Sequence, residues 1–242
     1  MNCSTVVAVL GASGGVGTSA LAAAVAIRGA GAGLHVCCAD LDVLGGGLDV
    51  CFGIELEPGL RWADLAALAG SSDGAALRAR LPVAEGVSVL SFGRGDERLP
   101  GADVVSEVLR ALAGDSELLV LDVPRDGPLT AVALQRCTLA VVLAGSTVGQ
   151  LSALAAVSRR VASAVDEVFV CLRGARESGE LQGLVADSVD LPVVGWLGED
   201  SRIGADLLHG IAPGARSRGP MVELADRILA RAVPRVRAGA AR

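Results

Sequence analysis

Residues 11–26 read GASGGVGTSALAAAVA, a glycine-rich turn between an apolar run and an Ala/Leu-rich stretch. Bare backbone N–H groups in such a turn, and at the start of the helix behind it, point at negative oxygens. The stretch therefore suits either the phosphates of ATP or the pyrophosphate of NAD(P). No lysine occurs anywhere in the 242 residues, so every lysine-dependent mechanism is excluded.

A chain of this length with 52% hydrophobic residues is expected to form one sizeable α/β domain over residues 1–242. Aromatic residues make up 2% and tyrosine is absent, so the core must be aliphatic. A net charge of −6 argues against general nucleic-acid binding, which calls for a basic surface. Cys3, Cys37, Cys38, Cys51, Cys137 and Cys171 form no CxxC pair, and His35 and His209 stand apart from them. Structural burial is the expected role of these thiols. The N-terminus carries no basic leader and no apolar run is long enough to span a bilayer, so a cytoplasmic location is expected.

Short β-branched runs alternate with segments of helical spacing. That alternation predicts a doubly wound, mostly parallel sheet with helices on both faces. Strands are expected at Thr5 to Leu10, His35 to Ala39, Val87 to Phe92, Leu118 to Leu121, Leu139 to Leu143, Glu167 to Leu172 and Pro192 to Trp196. Helices are expected at Ser19 to Arg28, Ala63 to Leu68, Ala75 to Leu81, Val104 to Leu112, Val148 to Ala164 and Met221 to Ala232. Pro234 is expected to end the last helix and leave an Arg-rich tail within residues 213–242.

Two later segments decide between the nucleotides. Residues 37–53, CCADLDVLGGGLDVCFG, follow the second strand, and residues 117–128, ELLVLDVPRDGP, form an apolar strand ending in Asp122. A carboxylate at such a strand end can hold Mg²⁺ or its water beside phosphates. The dinucleotide readings fit less well. Short-chain dehydrogenases need a Tyr and Lys pair, and quinone-oxidoreductase-type enzymes carry a catalytic domain ahead of the loop. Together "ASGGVGTS", "DLD" at Asp40 and Asp42, and "DVP" at Asp122 to Pro124 resemble the MinD/ParA family of deviant Walker P-loop ATPases. Residues 62–95, WADLAALAGSSDGAALRARLPVAEGVSVLSFGRG, and residues 211–229, IAPGARSRGPMVELADRIL, resemble its CpaE/TadZ branch and the actinobacterial septum-site-determining (Ssd) proteins.

The resemblance implies ATP or ADP and Mg²⁺ as cofactors. It implies a nucleotide cradle of Ser13, Gly14, Gly15, Val16, Gly17, Thr18 and Ser19, and metal-side roles for Ser19, Asp40 and Asp122. Asp42 would position the attacking water. The family's two loop lysines fall on Ser13 and Thr18. Losing two charge-assisted hydrogen bonds removes about 3 to 6 kcal/mol of phosphate or transition-state stabilisation, enough to make hydrolysis very slow. Arg125 either replaces a missing lysine or pairs with Asp126. The resemblance further implies a nucleotide-dependent homodimer that positions Flp/Tad pilus or secretion machinery, or influences the division septum. Its place would be the cytoplasm, with recruitment to the inner face of the membrane, a pole or the septum. A competent ATPase using arginine, and a nucleotide-free scaffold, are the alternatives. Arg216, Arg218, Arg227, Arg231, Arg235, Arg237 and Arg242 border an apolar stripe of Leu224, Ile228 and Leu229, which reads as a helix packed on the sheet or as a peripheral membrane contact.

Overall fold

Strands buried on both faces need side chains that are apolar in every direction, and the runs at residues 5–11, 118–123 and 139–145 meet that demand with every residue buried. The structure, a computed structural model, describes residues 4–67, 70–93, 100–174 and 177–240, with the backbone alone for 233–240. The elements run β1 (Thr5–Gly11), α1 (Thr18–Gly31), β2 (Val36–Asp40), α2 (Leu48–Phe52), α3 (Trp62–Leu65), α4 (Gly74–Arg78), β3 (Val83–Ala84) and β4 (Val87–Leu90). They continue with α5 (Ala102–Asp115), β5 (Leu118–Val123), α6 (Pro128–Leu134), β6 (Leu139–Gly145), α7 (Val148–Ala162), β7 (Val168–Arg173), α8 (Gly179–Val189), β8 (Val193–Leu197), α9 (Ile203–Leu208) and α10 (Pro220–Ala240).

The strands form one sheet in the order β3-β4-β2-β5-β1-β6-β7-β8. Only β3 is antiparallel, paired with β4 at the edge. Alternate residues of each strand feed two cores. Val7, Val9, Val120 and Val141 pack under α1, α2 and α10, while Ala8, Leu10, Leu121 and Val142 pack under α5, α6 and α7. Helix α1 lies close to the sheet because alanine and glycine make up most of its buried residues, alongside Leu21, Val25 and Ile27. A Cβ on Gly29 would come within 2.7 Å of the Leu118 side chain.

All seven expected strands are present. The two-residue β3 and the helices α2, α6, α8 and α9 were not expected from the sequence. Glycines flank the five-residue α2, and α6 opens on Pro128, an N1 residue that reads equally well as loop. The expected stop at Pro234 is corrected: α10 continues to Ala240. A proline removes one backbone hydrogen bond, but the Ala and Arg residues around it are strong helix formers and carry the helix past it. The first half of α10 packs on the sheet. Leu224, Ile228 and Leu229 are buried, Arg28 and Asp226 are ion-paired at 2.7 Å, and Arg231 stacks 4.9 Å above Phe169. Cys3 and Arg242, Leu68 at the end of one expected helix, and the side chains of Arg235 and Arg237 lie outside the described residues. No helix among the described residues is long and apolar enough to cross a membrane.

Candidate functional site

Strand β1 sits between β5 and β6, so the loop after it opens at the carboxyl end of the sheet, where the chain path reverses. Ligands of open α/β sheets bind in that crevice. The Ala12 N–H donates to the Leu143 carbonyl at 2.8 Å and holds the loop to β6 as it leaves the sheet. Gly15 (φ +73°) and Gly17 (φ +96°) supply left-handed turns that a side chain would strain. Gly17 is the N-cap of α1, and no side chain caps the helix, so its first-turn N–H groups face the crevice without a side-chain acceptor. The Ser13 hydroxyl is buried and has no hydrogen-bond partner among the described residues. Gly11 makes room for Thr18, whose Oγ1 would lie 2.7 Å from a Cβ there. Val16 is buried and anchors the loop to the core beneath α1.

Two carboxylates meet across the adjacent strands. Asp40 ends β2 and is the register partner of Asp122 in β5, and both are buried. Each oxygen of Asp40 accepts a backbone N–H, from Asp42 at 2.9 Å and from Leu48 at 2.8 Å. Burial, reinforced by the neighbouring Asp122, pushes the Asp40 carboxyl up to about 8, while those two N–H bonds pull it down. Asp122 is raised to about 6, chiefly by burial, against a hydrogen bond from the Ser19 hydroxyl that lowers it. The Asp40 carbonyl accepts the Trp62 indole N–H at 2.6 Å, so the buried Trp62 ties the end of β2 to α3.

Ser13, Gly14, Gly15, Gly17, Thr18, Ser19, Asp42, Asp122 and Arg125 line a single cleft of about 440 Å³. That volume falls in the range of small-molecule sites. Asp40 and Val16 do not line it: the Asp40 carboxylate is turned into the Asp42–Leu48 loop. Arg125 does not take Asp126 as its salt-bridge partner. Asp126 is paired with Arg160, while Arg125 reaches the Ala12 carbonyl at 3.5 Å on the rim of the cleft.

Three features lay beyond sequence reasoning. Gly45 and Gly46 bring the loop after β2 into the lining of the same cleft as the phosphate loop. Trp62 holds the Asp40 backbone. Arg173, the last residue of β7, donates from Nη1 to the Gly15 carbonyl at 3.2 Å. Only the glycine run at 45–47 carries a signal in the sequence. Among the described residues no group of three or more His, Cys, Asp or Glu side chains could hold a metal by itself. The Ser19–Asp122 pair instead offers a hydroxyl and a carboxylate beside the phosphate loop, a donor set that fits Mg²⁺ sharing its shell with phosphate and water.

No family model matches the chain. An uncharacterized protein of Mycobacterium tuberculosis, found in two strains, is 34% identical over 238 residues, 98% of this chain. The chain spans about two thirds (66%) of the length of these relatives. Among solved structures, the ParA family ATPase of Chlorobium tepidum superposes with a TM-score of 0.77 at 16% identity, covering 95% of this chain and 98% of that one. The septum site-determining protein MinD of Pyrococcus horikoshii, solved with Mg-ADP, gives 0.77 at 18% identity, over 96% and 98%. The MinC:MinD cell division complex of Aquifex aeolicus gives 0.73 at 15%, over 94% and 96%. At such identities the likeness is one of architecture: the chain has the single-domain α/β fold of the MinD and ParA ATPases.

Proposed function

We propose that this protein is an ATP-binding spatial regulator of the MinD/ParA kind, of the CpaE, TadZ and Ssd branch, that hydrolyses ATP weakly or not at all. One observation supports it above the others: the uncapped α1 N-terminus, the partnerless Ser13 hydroxyl and the Ser19–Asp122 pair converge on one cleft. The residues from Ser13 to Ser19 cradle the phosphates through backbone N–H groups. Ser19 and Asp122 hold Mg²⁺, which when bound screens the phosphate charge. Asp42, on the loop after β2, faces the water side of the same cleft. Asp40 acts on that loop through its bonds to the Asp42 and Leu48 N–H groups, and its metal-side role passes through them.

With Ser13 and Thr18 at the two lysine positions, about 3 to 6 kcal/mol of charge-assisted stabilisation is missing. Nucleotide then works as a ligand that sets a conformational population, and the output is binding. The binding partners are a second copy of the chain and proteins of a pilus, secretion or division apparatus, by analogy with the MinD solved in complex with MinC. The chain acts in the cytoplasm, at the inner face of the membrane, a pole or the septum.

Arg125 favours a second reading. Its guanidinium lines the cleft rather than pairing with Asp126, and an arginine at a phosphoryl site can accelerate transfer by about 10³ to 10⁵.

The test is titration with a fluorescent ATP analogue, with and without Mg²⁺, followed by measurement of phosphate release. Saturable, Mg²⁺-dependent binding with negligible release supports the first reading. Release that is lost in Asp42→Ala supports the second. No binding at millimolar nucleotide overturns both and leaves a nucleotide-free scaffold.

A further inference from the structure

Arg173 ends β7, where its backbone is fixed on both sides by register with Gly145 of β6 and Leu197 of β8. From there the half-buried side chain crosses to the phosphate loop. Its Nη1 donates to the Gly15 carbonyl at 3.2 Å and lies 3.2 Å from where a Cβ on Gly17 would sit. Glycine at position 17 therefore serves two ends: it permits φ +96° and it leaves space for the guanidinium. Among the described residues Arg173 has no carboxylate partner, and its single hydrogen bond leaves most of its five donors free. A half-buried cation without an ion-pair partner among the described residues, beside a loop of backbone N–H groups, creates a positive site that an anion would neutralise.

The position of Arg173 along the site narrows the choice of anion. Arg173 lines a small hollow of about 60 Å³ together with Gly17, Ala20, Leu197, Gly198 and Asp200, whose carboxylate is already paired with Arg202. The hollow shares Gly17 and Ala20 with the main cleft. A ligand with phosphates in the cleft and a nucleoside extending toward β8 would pass Gly17 and Ala20, and so would pass Arg173.

We propose that Arg173 is a phosphate-binding residue, supplying from β7 the positive charge that the loop itself lacks, toward the phosphates nearest the nucleoside of a bound di- or triphosphate. The proposal rests on the nucleotide reading above. Planar guanidinium donors pair with two phosphate oxygens at once, which makes arginine an effective substitute for a point charge. In the nucleotide-free protein the Gly15 carbonyl holds the same group ready.

Arg173→Ala, Arg173→Gln and Arg173→Lys test it in the full chain, with fluorescent ADP as the probe and adenosine as a competitor without phosphate. Glutamine keeps a donor for the Gly15 carbonyl and loses the charge, so it separates a charge role from bracing of the loop. The expected result is ADP affinity weakened about tenfold or more in the Ala and Gln variants, in line with a lost charge-assisted hydrogen bond. Lys should recover much of the loss, and adenosine affinity should stay the same in all four proteins. Wild-type affinity in the Gln variant, or equal weakening in Lys and Gln, overturns the charge role of Arg173 while leaving the nucleotide reading intact. Failure of the wild-type protein itself to bind ADP overturns that reading and the Arg173 proposal with it.

Discussion

Asp40 and Asp122 are register partners across the parallel β2–β5 pair, and the fold assigns them different tasks. Asp40 spends both oxygens on the backbone N–H groups of Asp42 and Leu48. Asp122 takes the Ser19 hydroxyl and faces the cleft. Like charges in a dry site disfavour ionisation, so this pair carries a cost that a cation would relieve.

Stability of the protein in chelator should fall as pH rises. The folded pKa of Asp40 is about 8 and that of Asp122 about 6, both above the ordinary carboxylate value. Between the unfolded value near 4 and these folded values, the native state binds more protons than the unfolded chain. The stabilisation is complete below about pH 4 and is lost as pH climbs through 6 and then 8. Urea midpoints measured from pH 5 to 8 check this, and Asp122→Asn should flatten the slope. A midpoint that rises over this window in wild type would contradict it.

Asp122→Asn should also separate stability from metal dependence. Asparagine can still accept from Ser19 but carries no buried charge, so the metal-free protein should be at least as stable as wild type at pH 7.5. Any Mg²⁺ enhancement of nucleotide binding should disappear. Calorimetry with and without Mg²⁺ reads both effects.

Asp40→Ala should behave in the opposite way, because it strands two backbone donors. One of them, the Leu48 N–H, lies in a buried bond. Unpaired buried donors cost about 1 to 3 kcal/mol each. A urea midpoint within error of wild type would show that the loop finds other partners.

Trp62→Phe removes the indole donor from the Asp40 carbonyl while keeping an aromatic ring against Phe92, whose centroid is 6.1 Å away. The orphaned carbonyl should cost about 1 to 3 kcal/mol. Chemical denaturation of this variant measures the loss, and a cost near zero would mean water replaces the indole.

Cys37, Cys38 and Cys171 are buried, and burial pushes Cys37 and Cys171 to about 12 and Cys38 well above its ordinary value. Thiolate is the reactive form, so these three thiols should resist an aromatic disulfide reagent at pH 8 until the chain unfolds. Peptide mapping after a timed pulse identifies which residues react. Rapid labelling of Cys171 in the folded protein would argue against the packing of α10 over β7.

Leu224 of α10 meets β8 closely: a Cβ on Gly195 would come within 2.5 Å of its Cδ1. Leu224→Ala should therefore destabilise the fold by about 2 to 5 kcal/mol, as loss of a buried leucine does. A change under about 0.5 kcal/mol is what an exposed, peripheral helix would give.

The apolar strands, the glycine turn before α1 and the carboxylates at the ends of β2 and β5 were legible in the sequence because each is a local pattern. An apolar run of five to seven residues, a glycine that must take positive φ and an acid closing a strand carry their meaning within a few positions. The resemblance to MinD and ParA drew on the same local motifs, and the architecture expected from it is the one observed. Tertiary structure alone decided which groups face one another. Asp126 chose Arg160, 34 residues away, over the adjacent Arg125; Trp62 found the Asp40 carbonyl; and Arg173 came to Gly15 across 158 residues. Such pairings follow from the order of strands in the sheet and from side chains long enough to cross between strand ends. Nothing in the spacing of these residues along the chain encodes either.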